Sequence, residues 1–288
     1  INANSGDGLG VDFVYDKQSS FTNTGKTDVV SDITYDSNDG NIIAGEAVAS
    51  IGDEMYATLY HAINEATDGS TIEVLRNFED RYGMYFDDDK SVTLDMKGYK
   101  ITFGSNVEGY TVVYDMAGSA NLTVTGDGSF TFNNDYLNDD SLGYIFRLSG
   151  SSQLTIENGN YHCGLTCIQL GGESKAVIND GDFSAYATWD DRYWILNLID
   201  NSNGTFEVKG GTFVNYDPSN SDTENPADDF VADGYGSFPN GVGSYTVDRV
   251  YTITYTGNPV VIQEVREGTV PENPVAPPTA GTGFTGCW

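Results

Sequence analysis

Leu154-Thr155-Ile156-Glu157-Asn158-Gly159-Asn160-Tyr161 reads as a short strand, a glycine turn and an aromatic, and Ala176-Val177-Ile178-Asn179-Asp180-Gly181-Asp182-Phe183 repeats it. Phe206 to Phe213 is a third copy, with Gly211 two residues before Phe213. Leu122 to Phe130 is a fourth, with one extra residue in its turn. Upstream of each copy a partner strand ends in an apolar residue: Met116, Leu148, Leu170 and Leu198. The gap to the copy is six residues in the first three cases and eight in the fourth. Val92 to Phe103 is an earlier, less regular copy.

Copies starting at 122, 154, 176 and 206 are spaced by 32, 22 and 30 residues, one supersecondary unit each with variable insertions. Alternation within the strands turns one row of side chains inward, and glycine permits the bend. Stacked units then bury the inward rows continuously. Propeller blades need about four strands per unit, and only two or three fit here. The expected fold class is therefore all-β: a parallel β-solenoid with a short N-terminal capping helix and a small C-terminal β segment. Tyr56, Leu59, Ile63 and Ala66 recur at helical spacing and predict that helix over Met55 to Ala66, followed by a first strand at Thr71 to Leu75. Three regions follow: an extended or β-rich arm over 1–45, the β-helix over 46–248 with its helix near 55–66, and a tail over 249–288. The arm carries alternating patches at Val11 to Tyr15 and Ile33 to Tyr35.

Ser50-Ile51-Gly52, Tyr56 to Leu59, Ala62-Ile63, Asp68 to Ile72 and Val92 to Asp95 resemble the start of right-handed parallel β-helix domains of the pectate-lyase-like superfamily, found in bacterial surface proteins and phage structural proteins. Gly210 to Phe213, Asp217-Pro218, Asn225-Pro226 and Phe230 to Tyr235 are similar to the last coil of such domains. Tyr251 to Tyr255, Val260 to Ile262, Glu267 to Pro271, Pro274, Pro277, Gly283 to Gly286 and Trp288 resemble the first half of an internalin-B-type β-grasp repeat. The resemblance implies an extracellular setting. It leaves open whether that module continues past Trp288 or is a degenerate copy used as a tail.

Thirteen basic against 43 acidic residues give a net charge of −30, which repels phosphate backbones and anionic membranes. Nucleic acid is excluded as a partner on that ground. No apolar run reaches the ~18 residues that would cross a bilayer, so no membrane insertion is expected. The chain begins at Ile1, without a charged leader, so a targeting segment is expected to have been removed or to lie outside this sequence.

Acidic pairs and triplets at Asp87 to Asp89, Asp139-Asp140, Asp190-Asp191 and Asp228-Asp229 could give oxygen ligands to Ca²⁺ or the carboxylate pair of a glycosidase, but none has EF-hand spacing and solvated turn acids are the favoured reading. No cofactor and no metal site is expected. A polysaccharide lyase needs a base beside cations that neutralise a uronate. Arg147, Lys175, Arg192 and Lys209 occur singly in the repeat region, and neither Gly-His-Gly nor Arg-Ile-Lys of the pectin hydrolases is present. His61 and His162 are poor catalytic candidates, and no catalytic residue is assigned. Cys163 and Cys167 with His162 leave a zinc shell incomplete; buried free thiols and a local disulfide both remain open.

The best binding candidate is the insertion carrying Tyr186, Trp189, Asp190, Asp191, Arg192 and Tyr193. Trp189 and Tyr193 could stack on a sugar face while the charged residues bond its hydroxyls. Counting back by twos from Leu198 points Trp194 inward and Tyr193 outward. The expected function is a non-catalytic extracellular structural or adhesion module on a bacterial cell surface or phage virion, a fibre, decoration or attachment element that could bind glycan. A carbohydrate-active enzyme, lyase or glycoside hydrolase, is the alternative. Partners are expected to be further copies or a larger surface or virion assembly, because the arm has too few apolar residues for a core of its own.

Overall fold

The computed structural model describes residues 32–35, 42–45, 47–80, 83–86, 89–103, 111–132, 143–224, 226–241, 243–256 and 260–271. The chain is mostly β, with long parallel sheets and, among the described residues, one α-helix. From Ser70 the chain visits an eight-stranded, a nine-stranded and a five-stranded sheet in fixed rotation. Ser70–Val74, Phe78–Asp80 and Met84–Phe86 make the first round, and Ser91–Asp95, Lys100–Phe103 and Thr111–Met116 the second. The last complete round is Lys175–Ile178, Asp182–Ala185 and Leu196–Leu198; Thr205–Val208 and Gly211–Val214 begin another.

Registers follow the sequence repeat residue by residue. In the eight-stranded sheet Ile72, Leu94, Val124, Ile156, Ile178 and Val208 are successive partners, all essentially inaccessible to solvent. In the nine-stranded sheet the row is Phe78, Ile101, Phe130, Tyr161, Phe183 and Phe213. Phe86, Met116, Leu148, Leu170 and Leu198 align in the five-stranded sheet. These rows belong to one continuous apolar core. The aromatic row is a stack: Tyr161 on Phe183 and Phe183 on Phe213 have centroids 4.9 Å apart and planes within 9° and 8°. Such pairs contribute ~0.5–1.5 kcal/mol beyond their buried area.

The glycine two residues before each aromatic sets the corner. Gly181 and Gly211 have φ of 134° and 105°, and a Cβ on Gly211 would stand 2.7 Å from the carbonyl oxygen of Gly181. Both the dihedral and the close approach of successive rounds demand glycine.

The helix is shorter than its periodicity predicts. It spans Leu59–Glu65, with Thr58 as N-cap accepting the His61 N–H at 3.1 Å. Met55 and Tyr56 lie instead in Glu54–Tyr56, antiparallel to Ala49–Ile51, and the Tyr56 carbonyl accepts from Val48 N–H. Strand pairing has claimed the residues that would have been the first helical turn. Tyr56, Leu59, Ile63 and Ala66 are nonetheless all buried. The first parallel strand is Ser70–Val74, and Ala49 pairs with Val74, so an antiparallel hairpin closes this edge of the eight-stranded sheet. At the other end of the nine-stranded sheet, Gly211–Val214 is covered by the antiparallel strand Ser244–Tyr255. Both devices blunt an edge that would otherwise offer unpaired backbone.

In the N-terminal region Asp32–Tyr35 pairs antiparallel with Ile42–Gly45; the patch at Val11 to Tyr15 lies outside the described residues. In the tail, Ser244–Tyr255 pairs antiparallel with Val261–Arg266, whereas Pro274, Pro277, Gly283 to Gly286 and Trp288 lie outside. Among the described residues no helix is long and apolar enough to cross a membrane.

Candidate functional site

The insertion between Asp182–Ala185 and Leu196–Leu198 is rooted on the round before it. Tyr186 and Ala187 donate their N–H groups to the carbonyls of Cys163 and Gly164, at 3.0 and 2.7 Å, and the Ile195 carbonyl at the far end accepts from Cys167 at 2.9 Å. Between these anchors Trp189 and Arg192 exchange backbone hydrogen bonds at 2.9 and 3.1 Å. Asp190 and Asp191 form the tip, both left-handed with φ of 52° and 60°. Two successive positive φ angles define a type I′ hairpin turn, a conformation Asp adopts more readily than most residues but less readily than Gly.

This hairpin presents Trp189, which is 52% exposed. The Trp194 indole N–H donates to the Trp189 carbonyl at 3.2 Å. Trp189, Asp190 and Trp194 line an open hollow of 360 Å³. Asp190 stands 3.9 Å from the Arg192 guanidinium, a solvent-exposed pair that contributes little to stability. Tyr186 stands exposed at the start of the insertion.

Trp194 and Tyr193 reverse the orientations expected from alternation. Tyr193 packs against the core and Trp194 faces the hollow, because Ile195 and Leu196 are consecutive and both fully buried. A strand bend that turns two neighbours inward shifts the count by one. The same doublet occurs at Val113-Tyr114, Ile145-Phe146 and Cys167-Ile168. Its recurrence is the sequence signal that would have placed Trp194 correctly.

The other candidate charges are drawn into local pairs. Arg147 makes a bidentate bond to Asp115, with Nε 3.0 Å from Oδ1. Glu207 is shared by Lys175 and Lys209, which hold its carboxyl below the usual range. Asp89 accepts from Ser119, and Asp229 accepts the Val231 N–H at 3.0 Å. Asp87, Asp88, Asp139 and Asp140 lie outside the described residues. His162 Nδ1 is 2.9 Å from the Ser184 hydroxyl, and burial together with Lys100 lowers its pKa. His61 lies beside Glu65 at 3.7 Å and edge-on to Tyr56. Among the described residues no three His, Cys, Asp or Glu side chains gather as a metal site.

Sequence reasoning missed two polar features. Asp115, Arg147, Gln169 and Asn197 are successive register partners in the five-stranded sheet, each immediately before the inward residue that ends its strand. Gln169 and Asn197 are buried, and Asn197 donates to Glu224 at 3.0 Å. Their fixed place before Met116, Leu148, Leu170 and Leu198 was legible in the repeat. The second is a polar groove of 490 Å³ where the Asn179 and Lys209 turns face the antiparallel strand Ser244–Tyr255. Two of its charged residues have partners: Arg249 donates to the Tyr235 hydroxyl at 3.2 Å, and Asp248 pairs with Arg266.

Comparison with protein families, with curated proteins and with solved structures finds no match to this chain.

Proposed function

We propose that the chain is a right-handed parallel β-helix serving as a non-catalytic extracellular display and adhesion module, on a bacterial cell surface or a phage virion, that meets a glycan at the Trp189 hairpin. Three sheets visited in rotation, with unbroken rows from Ile72 to Val208 and from Phe78 to Phe213, support the solenoid reading. The observation that carries the binding reading is Trp189, half exposed above a hollow it shares with Asp190 and Trp194, on a hairpin whose backbone is fixed at both ends. An exposed indole offers a flat apolar face to the C–H side of a hexose, and the neighbouring carboxylates accept from sugar hydroxyls. With a net charge of −30 and two carboxylates at the tip, the favoured ligand is neutral; uronates and sialic acids meet repulsion.

The test is binding of the intact chain to immobilised neutral and acidic glycans, with Trp189→Ala beside it. Retention on neutral glycans that the substitution abolishes supports the reading. Retention unchanged by Trp189→Ala places binding elsewhere. Turnover of pectin, alginate or glucans that Arg147→Ala or Asp191→Ala abolishes would replace it with the enzyme reading.

The module is also proposed to work as a homo-oligomer or within a larger surface assembly, held by the N-terminal arm. Light scattering should show the intact chain larger than a monomer and a chain starting at Glu46 monomeric. Two monomers at every concentration and salt would contradict this.

A further inference from the structure

Cys163 and Cys167 stand at the corner between Asn160–Cys163 and Thr166–Leu170, both inaccessible to solvent. Their sulfurs are 2.8 Å apart, inside the ~3.5–4.0 Å at which non-bonded heavy atoms pack. Both thiols also point at one acceptor, the Ser184 carbonyl, at 3.3 and 3.6 Å. This corner is the root of the Trp189 insertion: the Cys163 carbonyl holds the Tyr186 N–H where the insertion leaves, and the Cys167 N–H holds the Ile195 carbonyl where it returns. One thiol therefore sits beneath each end of the loop.

We infer that Cys163 and Cys167 are an oxidisable pair whose disulfide staples the base of the aromatic insertion. The bond needs a sulfur approach of less than ~1 Å from the observed spacing to the ~2.05 Å of a disulfide. The oxidant is a small-molecule disulfide such as oxidised glutathione. One protein thiolate attacks it, forming a mixed disulfide and releasing one glutathione thiol. The second protein sulfur then displaces the other glutathione thiol. The Cys163–Cys167 bond forms, the two electrons reduce the glutathione disulfide, and the two thiol protons end on its products. Burial raises the Cys163 pKa well above its ordinary value, keeping this thiol protonated in the closed fold. Exchange therefore proceeds during folding or in a locally opened insertion. In the reduced state the same pair is a hydrogen-bonded contact; in either state the backbone bonds tie the loop ends to the corner, and the disulfide fixes the distance between those two anchors. The proposal does not depend on what the loop binds.

The experiment uses the full chain with Cys287→Ser, which leaves only this pair of cysteines. The reduced, unfolded protein is refolded with reduced and oxidised glutathione, quenched with acid, and its thiols are counted in guanidinium. The expected result is loss of both thiols, with the peptide linking Cys163 to Cys167 lighter by two hydrogens. Two remaining thiols, or stable glutathione adducts, would overturn the pairing. A second readout is chymotrypsin cleavage between Tyr186 and Trp194 in oxidised and reduced protein, which needs no substitution in the corner. Cleavage is expected to be roughly threefold or more slower in the oxidised form. Equal rates would overturn the staple.

Discussion

Phe183 lies flat on Phe213, with centroids 4.9 Å apart and planes within 8°, one round of the chain later. The same ring contacts Tyr161 on its other face, so Phe183 is packed between aromatics from both neighbouring rounds. Phe183→Ala removes both faces at once and leaves a cavity that rigid neighbours cannot fill. A loss of ~3–5 kcal/mol is expected, read as a lower midpoint in guanidinium unfolding.

Glycine substitutions separate steric crowding from dihedral strain. Gly52 has φ of 59° and open space around its missing Cβ, whereas Gly211 combines φ of 105° with the Gly181 carbonyl at 2.7 Å. Gly52→Ala should cost ~1 kcal/mol, and Gly211→Ala ~2–3 kcal/mol or more. Thermal unfolding of the two variants should rank them in that order.

At the hairpin tip, Asp190 and Asp191 hold left-handed conformations that Asn and Gly adopt at lower cost. Replacing them together, Asp190→Asn with Asp191→Gly, should raise stability by ~0.5–1 kcal/mol in denaturant unfolding, in part by relieving adjacent like charges. Lower stability would mean that the tip is not a type I′ turn.

His162 titrates with a folded pKa below its ordinary 6.5, chiefly through burial and then through Lys100. The unfolded state therefore binds the proton more tightly. Its contribution to stability is full above the unfolded pKa and is lost as pH falls through the folded pKa. Between pH ~7 and ~5 the intact chain should lose more stability than His162→Gln, and the difference between the two curves isolates this group from the many carboxylates.

Much of this was legible in the sequence because the inward rows repeat in short phrases of one pattern, two apolar residues, a glycine and an aromatic. Ile156, Ile178 and Val208 are aligned as their spacing implies, and so are Met116, Leu148, Leu170 and Leu198. Two things were hidden for physical reasons. The Glu54–Tyr56 strand was masked by helical periodicity, since Tyr56 is buried in either conformation. Tyr193 and Trp194 were exchanged because strict alternation fails where a strand bends, as the paired burial of Ile195 and Leu196 shows. The candidate site was legible only as a loop of aromatics and acids. The joining of Trp189 to Trp194 depends on a turn at Asp190-Asp191 and on an indole hydrogen bond that spacing does not encode.

The most direct test of the account is a crystal structure of the chain, read at six side chains. Parallel strands are expected, with Ile156, Ile178 and Val208 in one inward row and Tyr161, Phe183 and Phe213 in a second row around the same core. Antiparallel pairing of these strands, or either row facing solvent, would contradict it.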